Sequence, residues 1–278
     1  MTAGAARTGR DGLLRARLEL RGARTVVTAC RWTLPLQVLS PVALDDPAAI
    51  LSVLNPTGGL VGGDRLDVDI TLGPGAHGCL TTPSATKVYR TRDGQPAEQD
   101  VRLDVGDGAA LEWVPDHTIA FAGSALRQRI AVHLGNGARL ILIDAFAAGR
   151  VARGEAWRFH RLESAITVRD AHGWLFHDRF ALDGDARWNA LGLGENHPYF
   201  ATVLALGPGD AEPLRHAMAG ALNDVGDVES GVGVLTRGGV AARVLARRAP
   251  DLIAALDRGW AAARHTLLGL RPLALRKG

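Results

Sequence analysis

Cysteine is scarce in this chain of 278 residues, which contains only Cys30 and Cys79. Two cysteines are too few for a disulfide-stabilised scaffold, and these two lie too far apart in sequence to form a Cys-x-x-Cys metal or redox motif. Free cysteines are typical of proteins in a reducing compartment. The cysteine content therefore favours a cytoplasmic protein.

Long apolar segments and a strong charge of one sign are also missing. The first twelve residues lack the apolar core of a signal peptide, and no run approaches the roughly 20 apolar residues that a membrane-spanning helix requires. The formal net charge is only +3, which is too weak a bias to indicate nucleic acid or a membrane as a partner. Because 47% of the residues are hydrophobic, we expect a soluble protein with a large core.

Signatures of catalysis and of tight metal binding are absent as well. The chain has no Gly-x-Ser-x-Gly or Ser-x-x-Lys motif of the kind that positions a nucleophile. Its nine histidines form no His-x-His or His-Glu-x-x-His pattern, so the sequence indicates no tight metal site. These absences point away from an enzyme and from a tightly bound cofactor.

The most distinctive stretch runs from Asn55 to Arg90 and opens with a glycine-rich loop that ends at Asp64. A phosphate-binding loop would continue with Lys-Ser or Lys-Thr and then a helix, whereas Asp-Arg and a strand pattern follow here. The loop is therefore interpreted as a strand connection in which backbone segments pack closely. Its characteristic residues are Asn55, Pro56, Thr57, Gly58, Gly59, Gly62 and Gly63.

The same stretch closes with residues 81–90, which are rich in hydroxyl groups and end in two cations and a tyrosine. Two interpretations of this segment are open. Its side chains could build an oxyanion site in an enzyme without a known motif, or they could form an edge that binds a partner protein. The residues concerned are Thr86, Lys87, Tyr89 and Arg90.

A short motif, Gly-x-Gly-Ala, recurs at Gly73, Gly106 and Gly135, each time between an incoming and an outgoing strand pattern. Glycine readily supplies the positive φ angles that tight strand connections need. Three such connections at comparable spacing suggest stacked β units. Three ordinary hairpins would produce the same pattern, so both arrangements are considered.

Alternating apolar and polar residues predict strands over most of the chain, and two helical patterns follow late, at Pro213–Leu222 and Pro250–Leu268. The first residues are small and polar, and we expect them to be disordered. No linker divides the remainder. We therefore predict a disordered tail over residues 1–12 and a single β-rich domain over residues 13–278.

Three aspartates stand out from their surroundings. Asp144 interrupts a strongly apolar strand, Asp178 lies in a second strand with apolar neighbours, and Asp64 ends the glycine-rich loop. A carboxylate in such a strand is costly unless it is paired or hydrogen-bonded. Each aspartate could form an ion pair with one of the many arginines, or the three could line an interior passage that holds a divalent cation such as nickel weakly.

Four blocks of sequence together resemble the UreD family of urease accessory proteins, also called UreH. The blocks are residues 55–64, 81–90, 111–115 with 118–121, and 149–155, the last with Gly149, Arg150, Gly154 and Glu155. The first two blocks are specific, and the others support them by order and spacing. The chain departs from the family pattern at Asp116-His117, at Arg153 and at its C-terminus, Leu273–Gly278, which lacks the frequent Pro-Arg-apolar-Trp tail.

The resemblance implies both a fold and a function. UreD proteins are mainly β, with a helix-like stack of strands in two layers and a few α-helices, two of which we expect towards the C-terminus here. They are non-catalytic scaffolds of urease maturation that bind apo-urease and, through UreF, recruit the nickel-carrying GTPase UreG. An internal polar passage for nickel has been proposed in the family, and we assign Asp64, Asp144 and Asp178 to it. Any bound Ni²⁺ would be transient.

Two further hypotheses compete with this one. A metallochaperone that itself stores nickel would belong to the same broad class, but the lack of histidine and cysteine clusters speaks against it. An unrecognised enzyme that uses Thr86, Lys87 and Tyr89 would belong to another class.

Overall fold

The computed structural model describes residues 10–39, 46–184, 188, 190 and 194–275. In chain order its strands are β1 (Asp11–Arg21), β2 (Arg24–Thr33), β3 (Gln37–Val38), β4 (Ala49–Leu54), β5 (Arg65–Leu72), β6 (His77–Thr81), β7 (Thr86–Val88), β8 (Ala97–Val105), β9 (Ala110–Trp113), β10 (Thr118–Ala120), β11 (Ala125–Leu134), β12 (Arg139–Ala147), β13 (Arg161–Asp170), β14 (Gly173–Asp183), β15 (Tyr199–Leu206), β16 (Val228–Val234) and β17 (Val240–Ala246). The helices are α1 (Glu212–Asn223) and α2 (Ala249–Ala263), and a π-helical turn follows α2 at Arg264–Leu268.

The strands form two sheets that are the two sides of one coil. The first sheet has the order β14-β13-β11-β8-β5-β1-β2, and the second runs β16-β17-β15-β12-β9-β6-β4-β3. Pairing is parallel from β1 through β5, β8 and β11 to β13, and from β4 through β6 and β9 to β12. The chain therefore winds between the sheets as a β-solenoid of about four turns, which confirms the predicted two-layer stack of strands.

The Gly-x-Gly-Ala motifs form one corner of this coil, stacked turn upon turn. The amide of Gly75 donates to the carbonyl of Asp107 at 2.9 Å, and the amide of Gly108 donates to that of Asn136 at 2.9 Å. A Cβ atom on Gly106 would lie 2.8 Å from the carbonyl oxygen of Leu72, so only glycine allows the corners to approach this closely. The repeat therefore marks stacked β units and not three separate hairpins.

The inward-facing residues of both sheets form the main core. In β5, for example, Leu66, Val68, Ile70 and Leu72 are buried between the sheets, while the intervening residues face solvent. The outer face of the second sheet is apolar too, and α1 and α2 cover it with side chains such as Met218 and Trp260. Both predicted helices are confirmed. The helical sequence pattern and the observed position of the helices agree, because a helix with one apolar face packs against an apolar surface.

Details at the ends of the chain differ from the sequence predictions or lie outside the described residues. Strand β1 begins at Asp11, so Asp11 and Gly12 belong to the sheet and not to the predicted tail. Residues 1–9 of that tail lie outside the described residues, as do the last three residues of the atypical C-terminus. The domain boundary at residue 13 stays a prediction.

Candidate functional site

Four sequence blocks that are distant along the chain lie side by side at one edge of the solenoid. Strand β7 pairs in parallel with β10, which places Thr86 beside Thr118, and β10 pairs with the end of β12, which places Thr118 beside Phe146. Leu60 bridges Val88 in the same way. We call this region, residues 55–64, 81–90, 111–121 and 149–155, the motif edge; its residues 111–114 are buried in and next to β9. The four blocks come together because the connections between the two sheets stack in successive turns of the coil.

The glycine-rich loop lies flat against β7 because its residues leave no side chain in the way. The amide of Leu60 donates to the carbonyl of Lys87 at 2.8 Å, and a Cβ atom on Gly59 would collide with that carbonyl. Asn55 holds the loop closed, since its Nδ2 donates to the Gly59 carbonyl at 2.9 Å and its Oδ1 accepts from the Thr57 amide at 3.0 Å. The loop is thus a close-packed strand connection, as interpreted from sequence.

A column of side chains crosses the motif edge from one turn to the next. The Tyr89 hydroxyl donates to the Gly58 carbonyl at 3.1 Å, and its ring packs edge-on against Phe121 at 5.3 Å. The Arg150 guanidinium lies 4.5 Å from the centre of the Phe121 ring and binds Glu155 through two hydrogen bonds, which lower the pKa of that carboxyl. The column fixes a rigid surface.

The outer residues of the motif edge remain available to a partner. Pro56, Thr57, Lys87 and Arg90 are exposed, so two cations project from an otherwise well-ordered surface. Thr86, Lys87 and Tyr89 do not act as one unit here, because the Tyr89 hydroxyl is already engaged with the loop. The geometry suits a binding surface better than a nucleophilic centre.

Two cavities lie next to this edge and share part of their lining. An outer cavity of about 140 Å³ lies between the glycine-rich loop and β7, and an inner cavity of about 70 Å³ extends between the sheets to Asp144. The inner cavity is large enough for a few water molecules. Residues that line both cavities are Val53, Leu54, Asn55, Thr82 and Thr86. These shared residues stand where a path from the motif edge would enter the molecule.

Inside the sandwich, the inner cavity reaches a row of polar side chains that interrupts the apolar core. We call it the polar layer, and it consists of Gln99, Gln128, Asp144, Ser164, Asp178, Thr202 and Arg243. One Asp144 oxygen accepts from Gln128 Nε2 at 2.8 Å, and the other accepts from Ser164 Oγ at 2.8 Å. Gln128 and Ser164 come from the first sheet and Asp144 from the second, so these bonds cross the core.

The Asp144 carboxyl is buried and holds its proton more firmly than an exposed aspartate. Its pKa is raised from 3.8 to about 6, chiefly by burial and to a smaller extent by the negative charge of Asp178, while the hydrogen bonds from Ser164 and Gln128 and the charge of Arg243 act in the opposite direction. Near neutral pH the group is largely ionised. It is therefore a carboxylate that an arriving cation would stabilise.

Asp178 belongs to the same layer, at its far end. Its neighbours Phe176 and Phe180 face the core, so the alternation turns Asp178 inward and not onto a solvated face. Arg243 Nη2 lies 2.6 Å from Asp178 Oδ1, and the same guanidinium donates to Thr202 Oγ1. The structure thus brings two of the three predicted aspartates into one polar region.

Asp64 stands apart from the other two aspartates. Its carboxylate accepts from the amides of Arg10 and Val61, both at 2.9 Å, and is buried. These bonds close the glycine-rich loop against the start of β1. The geometry explains Asp64 as a structural group, and its assignment to a nickel passage stays a prediction without support from the cavities.

A second buried polar cluster ties α2 to the second sheet. Arg264, which is fully buried, binds Glu112 at 2.7 Å and Asp46 at 2.8 Å. Glu112 also accepts from Trp260 Nε1 at 2.6 Å and lies 2.8 Å from His77 Nε2. Burial opposes ionisation of Glu112, but the hydrogen bonds from His77 and Arg264 outweigh it and leave its pKa lowered. The cluster is a structural anchor that sequence reasoning missed.

Sequence reasoning also missed most of the polar layer, although a signal was present. Gln128 occupies an inward position between Leu126 and Ile130, and Ser164 does so between Leu162 and Ile166. A polar residue at the apolar phase of a strand marks a buried polar site. Thr202 follows the same rule in β15, whereas Arg243, opposite it in β17, is exposed.

The described part of the chain contains no group of three or more His, Cys, Asp or Glu residues that could hold a metal ion. Among the same residues, no helix is long and apolar enough to cross a membrane.

Comparison with known proteins agrees with the four blocks of the motif edge. The sequence model of the UreD urease accessory protein family matches residues 10–277. The chain belongs to the UreD family. A UreD protein of Delftia acidovorans is 36% identical over 91% of this chain and 90% of its own length. Those of Cupriavidus necator and Deinococcus radiodurans are 33% and 32% identical over 94% and 98% of the chain, and over 92% and 96% of their own lengths.

Family membership fixes the general role. UreD proteins are non-catalytic accessory proteins that act as chaperones in the insertion of nickel into urease. The protein is accordingly a urease maturation factor and works with other components of that maturation system. The enzyme hypothesis based on Thr86, Lys87 and Tyr89 is set aside on this ground, and the motif edge is understood as a surface of a UreD protein.

Proposed function

We propose that this UreD protein is a scaffold that binds UreF directly, recruits the GTPase UreG through UreF, and binds apo-urease. The motif edge supports the proposal, because it combines a rigid frame with the exposed cations Lys87 and Arg90. A surface whose side chains are already fixed loses little conformational entropy when a partner docks. The scaffold would bring UreF, UreG and apo-urease into one complex.

Nickel, the cargo of this process, crosses the protein through the polar layer in our proposal. It enters at the motif edge, passes the outer and inner cavities, and reaches Asp144 between the sheets. The main support for this proposal is the position of Asp144, a buried carboxylate at the inner end of two adjoining cavities. A buried carboxylate without a compensating charge destabilises the fold, whereas it would contact a cation favourably. Asp178 extends the path towards the far end of the layer.

The chemistry of the polar layer suits transfer better than storage. Asp144 offers carboxylate oxygen, while Gln128, Ser164 and Thr202 offer neutral oxygens, and such ligands bind divalent nickel more weakly than imidazole or thiolate clusters do. A weakly held ion can move on. The protein would therefore contact Ni²⁺ transiently, without a tightly bound cofactor.

Urease maturation with purified components tests both parts of the proposal. The wild-type protein, Asp144→Ala and the exposed outer-face control Asp104→Ala are each mixed with UreF and scored for co-elution on size exclusion, and the nickel content of the matured urease is then measured. We expect all three to co-elute with UreF. We expect Asp144→Ala to lower urease nickel several-fold, because the path loses its only deeply buried carboxylate among the described layer residues, and Asp104→Ala to leave it unchanged.

The two readouts separate the two claims. Failure of the folded wild-type protein to associate with UreF would contradict the scaffold. Full nickel content of urease matured with Asp144→Ala would contradict a passage through the polar layer while leaving the scaffold intact.

A further inference from the structure

Three neighbouring strands carry Asp144, Thr202 and Arg243 in one row on the inner face of the second sheet. Asp144 lies opposite Thr202 across β12 and β15, and Thr202 lies opposite Arg243 across β15 and β17. Neighbouring strands are about 4.8 Å apart, so the row leads from the buried carboxylate to the edge of the sandwich in two steps. Arg243 is the last residue of the polar layer before solvent.

The Arg243 guanidinium closes this end of the layer. It binds Asp178 of the facing sheet at 2.6 Å and donates to Thr202, so it spans the gap between β17 and β14. The side chain of Asp178 is 20% exposed, whereas that of Arg243 is 55% exposed. The cation therefore stands between the inner carboxylates and the solvent.

The surroundings of Arg243 allow it to move. Arg264, by contrast, is fully buried and held by Glu112 and Asp46, so it cannot leave its place without exposing the core. Beside Arg243, the adjacent strand β16 contributes Gly231, and a Cβ atom placed there would meet no atom of the described residues within 4 Å. The guanidinium has both solvent and an open space next to it.

We infer that Arg243 is the gate of the polar layer: paired with Asp178 it bars a divalent cation from the far end, and when it swings towards solvent the cation gains Asp178 and Thr202 and can leave. The inference rests on the proposed passage. It adds a residue that determines where the ion stops, because a fixed positive charge one strand beyond Thr202 repels a divalent ion held at Asp144.

Binding of Ni²⁺ to the purified full-length protein, measured by equilibrium dialysis at pH 7.5, tests the gate. Arg243→Met and Arg243→Gln remove the positive charge, and we expect them to bind Ni²⁺ at least about tenfold more tightly than the wild type. Arg243→Lys keeps the charge and should bind as weakly as the wild type. The matched control is Arg237→Met, which removes an arginine that also joins the two sheets, through Asp170, but lies outside the layer.

The site of the gain is located with a double variant. In Arg243→Met with Asp144→Asn, the increase in affinity should disappear. The inference is overturned if Arg243→Met and Arg243→Gln bind no more tightly than Arg237→Met, if Arg243→Lys gains as much as they do, or if the gain survives the loss of the Asp144 charge. Two neutral variants are used so that poor folding of one still leaves a decisive comparison.

The gate and the proposed function can be refuted separately by these experiments. If Arg243→Met binds Ni²⁺ more tightly but Asp144→Ala still yields fully loaded urease, the gated cation contact stands and the passage is wrong. If Asp144→Ala lowers urease nickel but Arg243→Met shows no gain, the passage stands and the gate is wrong.

Discussion

Asp144 carries an energetic cost, because its carboxyl group is buried between the sheets. Its pKa is raised from 3.8 to about 6, chiefly by burial, so the folded state prefers the protonated form. The stabilisation from that preference is complete below pH 3.8 and is lost as the pH rises through 6. A shift of this size corresponds to about 3 kcal/mol of folding stability that is missing at neutral pH.

Replacement of Asp144 by asparagine should remove this pH dependence. Asparagine stays neutral, so the stability of Asp144→Asn relative to the wild type should increase by about 2 kcal/mol as the pH rises from 4.5 to 7.5. Urea denaturation at both pH values measures the difference, with Asp104→Asn on the exposed outer face as the control. A constant difference across this pH range would show that the pKa of Asp144 is not raised.

Arg264 shows the opposite situation, a buried charge that is fully compensated. Arg264→Met should destabilise the protein by about 3–5 kcal/mol, because Glu112 and Asp46 would stay buried without their partner. The comparison is Arg248→Met, which breaks the ion pair with Asp251 at an exposed arginine and should cost far less. Equal losses in the two variants, measured by urea denaturation, would refute the anchoring role of the cluster.

At the residue scale, the sequence indicated some of the site but not its contacts. Asp144 could be singled out because a charge interrupts an apolar strand. Its neighbours could not be identified in this way. The contacts with Gln128 and Ser164 depend on how the two sheets face each other, and the proximity of Arg243 depends on the order of the strands. The ion pair between Arg264 and Glu112 spans 152 residues, and no local pattern specifies such a contact.

At the scale of elements, the stacked corners give the solenoid its register. Glycine amides in the corners bind carbonyls of the neighbouring turns, and each strand is then placed opposite its counterpart in the turn above. Glycine at the crowded corner positions is what permits this approach. The recurrence of Gly-x-Gly-Ala is therefore a consequence of the coil.

Substitution at two corner glycines separates crowding from backbone strain. Gly106→Ala places a methyl group 2.8 Å from the Leu72 carbonyl oxygen and should cost about 2–3 kcal/mol of unfolding free energy. Gly108 has a φ of +65° but open space around its Cβ position, so Gly108→Ala should cost only about 1 kcal/mol. Thermal or urea denaturation compares them. A Gly106→Ala variant as stable as Gly108→Ala would argue against tight corner stacking.

Strands and helices could be predicted where their apolar residues follow one local period along the chain. The strands that alternate in burial and the two late helices could be found from sequence, because one face of each is apolar. Strand β10 has three residues, too few to show a period, and it exists because β7 and β12 flank it. The choice between stacked units and hairpins could not be made locally, since it depends on which strands become neighbours.

At the scale of the whole molecule, our proposals place two functional regions on the solenoid and a path between them through its interior. The motif edge lies at one side of the coil, where the connections between sheets stack. The inferred gate, the ion pair of Arg243 and Asp178, lies where β14 faces β17. In our proposal the two cavities and the polar layer form the path between these regions, so a scaffold that binds its partners on its surface could also conduct their cargo.

A plug at the junction of the two cavities tests most directly whether nickel goes through the protein or beside it. Thr86 lines both cavities, so Thr86→Phe should obstruct the path, while Thr86→Ser keeps the hydroxyl and leaves it open. Both variants are first required to be folded and to co-elute with UreF. The nickel content of urease matured with each is then measured. We predict a several-fold loss with phenylalanine and none with serine; equal, full nickel content with both would contradict passage through the protein.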